Sequence, residues 1–211
     1  MTDTPALLID GPKDAPLTLV LAHGAGAPMD SPFMAAIAEQ VAAGGWRVAR
    51  FEFPYMAGRR ETGKKRPPDR GPVLEATWHA VVDALGPAGK LVIGGKSMGG
   101  RIASMVADEA GVAGLVCLGY PFHPPGKPEK QRTAHLEALR TPALIVQGER
   151  DALGNKADVA GYTLAPGIAL AWMPDGDHSL KPRKKSGHTE AGNLAAATRA
   201  ISGFLESRAR G

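Results

Sequence analysis

The sequence predicts an α/β protein: a mostly parallel sheet of about six or seven strands with helices on both faces. Three observations carry that expectation. Short apolar runs bounded by turn residues recur along the chain, helix-period segments fall between most of them, and no repeat or long linker divides the whole. A chain of 211 residues, 44% of them hydrophobic, can bury one sizeable core, so residues 1–211 read as a single domain.

Taken in order, the candidate strands are residues 6–9, 17–22, 47–53, 90–93, 114–119, 143–147 and 168–173, each ending at or near Gly or Pro. Ser31-Pro32 opens the first helix, with serine as N-cap and proline at the first helical position; it runs to about Ala43, before Gly44-Gly45. Helical spacing recurs over residues 72–85, 98–109 and 190–207, and a short helical turn fits residues 133–139. Residues 54–71 show no such period and read as one long irregular loop. It begins at the carboxyl end of a strand, the edge at which open α/β sheets bind ligands.

Composition narrows the function classes. Aromatic residues make up 5%, so the core must be mainly Ala, Val, Leu and Ile. The one cysteine, Cys117, lies within an apolar run and reads as a buried thiol; no intrachain disulfide can form, which agrees with a reducing compartment. Residues 1–5 lack the basic and apolar pattern of a signal peptide. No apolar stretch approaches the roughly 18 residues needed to span a membrane. The expectation is a cytoplasmic protein without membrane contact. The net charge of +4 is gathered into two clusters: Arg59, Arg60, Lys64, Lys65, Arg66 and Arg70, then Lys181, Arg183, Lys184 and Lys185. Such clusters are as often solvated surface as binding surface. Neither is interleaved with aromatics, so nucleic acid is not the expected partner.

The chemistry is concentrated in Gly95-Lys96-Ser97-Met98-Gly99, between the apolar run Leu91-Val92-Ile93 and a helix-period segment. A serine flanked by glycine two positions away on either side, between strand and helix, is the pattern of a nucleophile elbow. The sharp turn lifts the hydroxyl clear of the backbone, and the helix start places positive potential where an oxyanion would form. Glycine is abundant here, 27 residues, so the motif needs its context. A phosphate-binding loop, G-x-x-x-x-G-K-[ST], would need glycine where the chain has Lys90, and a longer loop than separates strand from helix.

A serine hydroxyl needs a base to take its proton and a carboxylate to orient the base. In the order Ser, acid, His, only His178 and His188 follow a plausible acid. His178 sits in a turn directly after the last strand and is preferred; His188 lies further into a polar stretch. Asp151, just past residues 143–147, is the preferred acid, with Glu149 the alternative; Asp175 and Asp177 read as turn formers. For the oxyanion, Met98 N–H follows the nucleophile, and the small residues of His23-Gly24-Ala25-Gly26 make Ala25 the second expected donor. His23 reads as a brace for that loop.

Together these residues resemble the α/β-hydrolase superfamily over nearly the whole chain. A narrower likeness rests on Leu21-Ala-His-Gly-Ala-Gly-Ala, Phe51-Glu-Phe-Pro-Tyr-Met, Lys64-Lys-Arg-Pro-Pro-Asp, Gly94-Gly-Lys-Ser-Met-Gly-Gly-Arg and Gly176-Asp-His-Ser-Leu. These are similar to a small subfamily that includes testis-expressed protein 30, the hydrolase-like domain of non-specific-lethal complex regulatory subunit 3, and compact bacterial relatives. The resemblance implies a single-domain α/β-hydrolase fold and a Ser97-Asp151-His178 triad working without a cofactor or metal. Residues 119–141 form only a short Pro-rich connection, so no large cap domain is expected, and part of the usual N-terminal antiparallel strands is absent.

The expected activity is serine hydrolysis of an ester, thioester or similar acyl bond of a small molecule. Because both basic clusters follow catalytic-edge strands, Tyr55, Arg59, Arg66 and Lys181 are expected to rim the cleft and favour an anionic substrate. The alternative is a catalytically weak interaction module with a protein partner, since some members of the resembled family serve in assemblies.

Overall fold

Among the described residues, seven strands form one sheet in the order β1-β3-β2-β4-β5-β6-β7. They are β1 Leu7–Asp10, β2 Thr18–Ala22, β3 Arg47–Phe51, β4 Leu91–Lys96, β5 Gly114–Leu118, β6 Ala143–Gly148 and β7 Ile168–Met173. The structure, a computed structural model, describes residues 4–210. Strands β2 to β7 run parallel, and β1 alone is antiparallel, pairing Leu7 with Phe51 at the sheet edge. β2, β5 and β6 are buried along their whole length, as expected of parallel strands covered on both faces.

Among the described residues, six helices complete the fold: α1 Pro32–Ala43, α2 Pro54–Thr62, α3 Gly71–Leu85, α4 Met98–Ala110, α5 Lys156–Val159 and α6 Glu190–Ala209. One face of the sheet packs Val20, Phe51, Ile93 and Ile145 against Trp78 and Val81 of α3 and Ile102 and Val106 of α4. The opposite face packs Leu19, Leu21, Val92 and Val116 against Ile37 of α1 and Ile201 and Leu205 of α6. No helix among the described residues is long and apolar enough to cross a membrane. Cys117 is fully buried in β5, and burial pushes its thiol pKa up, away from reactivity.

Two elements differ from the sequence expectation. Residues 54–62 are not irregular but form α2, with Pro54 in its first turn and Gly63 closing it at φ +68°. Only Tyr55 and Met56 of that helix are buried, so it carries too little apolar pattern to announce itself. The four-residue α5 was also not expected; it is set by a capping box between Asn155 and Asp158. The short turn anticipated in residues 133–139 is a single 3-10 turn, Ala134–Leu136.

The topology places the chemistry. β2 lies between β3 and β4, so the chain reverses its direction of winding there, and a crevice opens at the carboxyl ends of β2 and β4. Register aligns Ala22 of β2 with Gly95 of β4, which brings His23-Gly24-Ala25 beside Lys96-Ser97-Met98. Gly148, ending β6, pairs with Met173, ending β7, so the two following turns also meet at this edge.

Candidate active site

Ser97 adopts φ +50° and ψ −113°, one of three non-glycine residues with positive φ among those described. Such backbone costs about 1–3 kcal/mol and persists only where the surroundings hold it. The glycines around it do so by allowing close approach. A Cβ on Gly95 would lie 2.2 Å from the Ala22 carbonyl oxygen, and one on Gly99 would lie 2.6 Å from the carbonyl oxygens of both Ala22 and His23. The elbow is therefore tight because β4 and α4 press directly on the end of β2.

Ser97 Oγ lies 2.9 Å from His178 Nε2, and His178 Nδ1 lies 2.8 Å from Asp151 Oδ2. An ionised carboxylate only accepts, so Nδ1–H donates to Asp151 and the Nε2 lone pair faces the serine hydroxyl. Asp151 is fully buried, and it also accepts from Leu153 N–H at 2.8 Å and from Gln147 Nε2 at 2.9 Å. Gln147 is fixed in turn by donating to the carbonyls of Tyr120 and Gly154 and accepting from Tyr120 N–H. The alternatives lie apart: His188 is exposed, and Glu149 accepts from Asp175 N–H and Lys156.

The turn bearing His178 is held from several sides. Asn193 of α6, 3% exposed, donates to the carbonyls of Pro174 at 3.0 Å and Leu180 at 2.7 Å, clamping both ends of the turn. Asp175 ion-pairs with Arg183 and Arg150, and the Arg183 hydrogen bonds hold its carboxyl below the usual range. A Cβ on Gly148 would lie 2.2 Å from the Asp177 carbonyl oxygen, so glycine lets the turn bearing Asp151 and the turn bearing His178 touch.

Ala25 and Met98 both line a cavity with Ser97, and neither N–H makes a hydrogen bond among the described residues. The loop carrying Ala25 is braced. His23 is fully buried, donates from Nδ1 to the Gly24 carbonyl at 2.7 Å and accepts at Nε2 from Phe53 N–H at 3.1 Å. Burial lowers its pKa, consistent with the neutral ring these bonds require. Tyr55 donates its hydroxyl to the Ala25 carbonyl at 3.0 Å, and burial pushes its pKa up to about 12.

Ser97 stands between two cavities. One, about 400 Å³, is lined by Gly24 to Ala27, Pro32, Phe33, Met34 and Lys96. The other, about 510 Å³, includes Arg101, Pro121, Pro125, Arg132 and Leu153. Neither lining includes Tyr55, Arg59, Arg66 or Lys181, the residues expected at the rim. Tyr55 stands behind the lining as a brace. Lys181 ion-pairs with Glu190 at 3.1 Å, Arg66 packs beside Gly58, and Arg59 belongs to α2, whose neighbouring Arg60 is committed to Glu52 and Asp30. The cations that do line the cavities are Lys96, Arg101 and Arg132, which sequence reasoning missed. Lys96 Nζ donates to the His178 carbonyl, and burial lowers its pKa to about 8.

A second serine–histidine contact lies nearby: Ser104 Oγ is 2.8 Å from His135 Nε2. Its chemistry differs. Ser104 donates to the Arg101 carbonyl at 2.7 Å, so the hydroxyl accepts from His135, and no carboxylate among the described residues backs that ring.

A family model described as an alpha/beta hydrolase domain matches residues 15–206. The chain is also similar to an alpha-beta serine hydrolase homologue from Coxiella burnetii, at 20% identity over 94% of this chain and 90% of that one, with a TM-score of 0.66. It is similar to an a/b serine hydrolase without lid from Xanthomonas campestris, at 20% identity over 97% and 87% of the two chains, TM-score 0.65. A thermophilic esterase from Thermogutta terrifontis matches at 18% identity over 96% and 93%, TM-score 0.70. At these identities the likeness is one of fold.

Proposed function

The chain belongs to the alpha/beta hydrolase family, and from that premise we propose that it is a serine hydrolase of ester, thioester or related acyl bonds. The observation that carries the reading is the relay from Ser97 through His178 to buried Asp151, at 2.9 and 2.8 Å. In this reading Ser97 Oγ attacks the acyl carbon while His178 Nε2 takes its proton, and Asp151 steadies the imidazolium. The oxyanion of the tetrahedral intermediate accepts from Met98 N–H at the start of α4 and from Ala25 N–H in the loop after β2. His178 then protonates the leaving group, and a water deprotonated by the same nitrogen releases the acyl group from Ser97. No step calls for a cofactor. On the motifs quoted above, we further place the chain with the small subfamily that includes testis-expressed protein 30.

Labelling by a fluorophosphonate probe tests the reading. Wild-type protein is expected to label, and Ser97→Ala and His178→Ala to lose at least about a thousandfold in labelling rate. Absence of Ser97-dependent labelling would overturn it in favour of an interaction module.

A further inference from the structure

Arg101 and Arg132 come from distant parts of the chain, the first turns of α4 and the connection between β5 and β6, yet they line one cavity with Ser97, Met98 and Ala25. Neither has a carboxylate within ion-pair distance among the described residues; Arg59 and Arg66 have none either, but Arg101 and Arg132 share their cavity with Ser97. The Nε of Arg101 is buried without a hydrogen-bond partner, which is costly for a cationic donor. Burial first, and then the charge of Arg101, lower the pKa of Arg132, so the two like charges sense each other.

The backbones carrying these arginines are fixed. Ser104 donates to the Arg101 carbonyl and Tyr120 donates its hydroxyl to the Arg132 carbonyl at 2.9 Å. His135 lies between the two hydroxyls, with Nε2 2.8 Å from Ser104 Oγ and 3.4 Å from Tyr120 Oη. A further bond runs from Arg132 N–H to the Phe122 carbonyl at 2.7 Å. Two guanidinium groups on a rigid base, beside the reacting serine and without internal counter-charge, match the planar oxygens of a carboxylate or phosphate. Pro121, Pro125 and Leu153 supply apolar wall for the chain that would carry such a group.

We propose that this cavity binds an oxyanionic group, carboxylate or phosphate, on the substrate whose acyl bond Ser97 attacks. The proposal rests on the serine-hydrolase reading and names its substrate class.

Two matched ester pairs test it. Mono-p-nitrophenyl glutarate against p-nitrophenyl pentanoate places the charge on the acyl arm; para-acetoxybenzoate against para-tolyl acetate places it on the leaving group. Wild type is expected to favour the anionic member of at least one pair in kcat/KM, less so as salt rises. Arg101→Gln and Arg132→Gln are each expected to lower that preference about tenfold or more, with Arg101→Lys intermediate. Binding of inorganic phosphate and of glutarate to Ser97→Ala protein, by calorimetry, distinguishes the two oxyanions and is expected to weaken in both arginine variants. Equal use of charged and neutral esters by wild type, or a preference and anion affinity unchanged in both glutamine variants, overturns the proposal. Loss of Ser97-dependent turnover on all four esters, with arginine-dependent anion binding intact, overturns the hydrolase reading instead.

Discussion

Lys96 shows how one side chain beside Ser97 can be costly and useful together. Its ammonium is buried, donates to the carbonyl of His178 82 residues away, and lies 5.6 Å from the centre of the Phe33 ring. Desolvation lowers its pKa from 10.5 to about 8, with Asp151 and Asp177 opposing the shift. Between those values the unfolded chain holds a proton that the native state has released, so unfolding free energy rises with pH across that window. Below about 8 both states are protonated and the slope vanishes. Urea midpoints at two pH values between about 8 and 9, below the point where the thiol of Cys117 ionises in the unfolded chain, are expected to increase for wild type and to lose that increase in Lys96→Met; equal slopes would contradict the buried-ammonium account. Lys96, Gln147 and Asn193 were not legible as site residues because each bonds backbone remote in sequence, and Arg101 and Arg132 were not because only the fold brings them to one cavity. Ser97, His178 and Asp151 could be singled out because each lies just past a recognisable strand.

At the scale of elements, the site is assembled by turns that neighbouring helices hold. Asn193 is the link from α6 to the turn bearing His178, where its amide serves two carbonyls. Asn193→Ala leaves both without that donor, at a cost of about 1–3 kcal/mol in stability. Misplacing the imidazole is also expected to slow fluorophosphonate labelling about tenfold, measured on protein verified as folded. A variant that loses stability but labels at the wild-type rate would assign Asn193 to packing alone. The helix α2 makes the complementary point. Its signals, Pro54 and Gly63, stand in the sequence, but its stabilisation comes from elsewhere: Arg60 pairs with Glu52 and Asp30, and Tyr55 N–H donates to Asp69 at 2.9 Å. A polar helix held by ion pairs leaves no hydrophobic period to read. The same pairs hold Arg60, which is one reason that a basic cluster at the carboxyl end of a strand need not line a cleft.

Across the whole molecule, two separate cores hold one sheet, and Ser97 stands at the carboxyl edge of its parallel strands. Trp78, fully buried, packs edge-on against Phe51 with ring centres 4.7 Å apart, joining α3 to β3 away from the relay. Trp78→Ala is expected to cost about 3–5 kcal/mol in a denaturant titration, because it opens a large cavity in a close-packed core. A loss below about 1 kcal/mol would mean that this face collapses around the void. The alternation of strand and helix, the parallel sheet and the placing of Ser97, Asp151 and His178 just past separate strands were determined by the sequence itself, because apolar period and turn residues are local properties. Parallel strands then bring every carboxyl end to one edge, whatever their separation along the chain. Which cations face the cleft was decided only by the tertiary structure. A charged side chain goes where a counter-charge or a carbonyl meets it: Lys181 to Glu190, Arg60 to Glu52, Lys96 to His178. Arg101 and Arg132 meet no carboxylate among the described residues, and neither do Arg59 and Arg66; the start of α4 and the connection between β5 and β6 are what carry the first two to the serine.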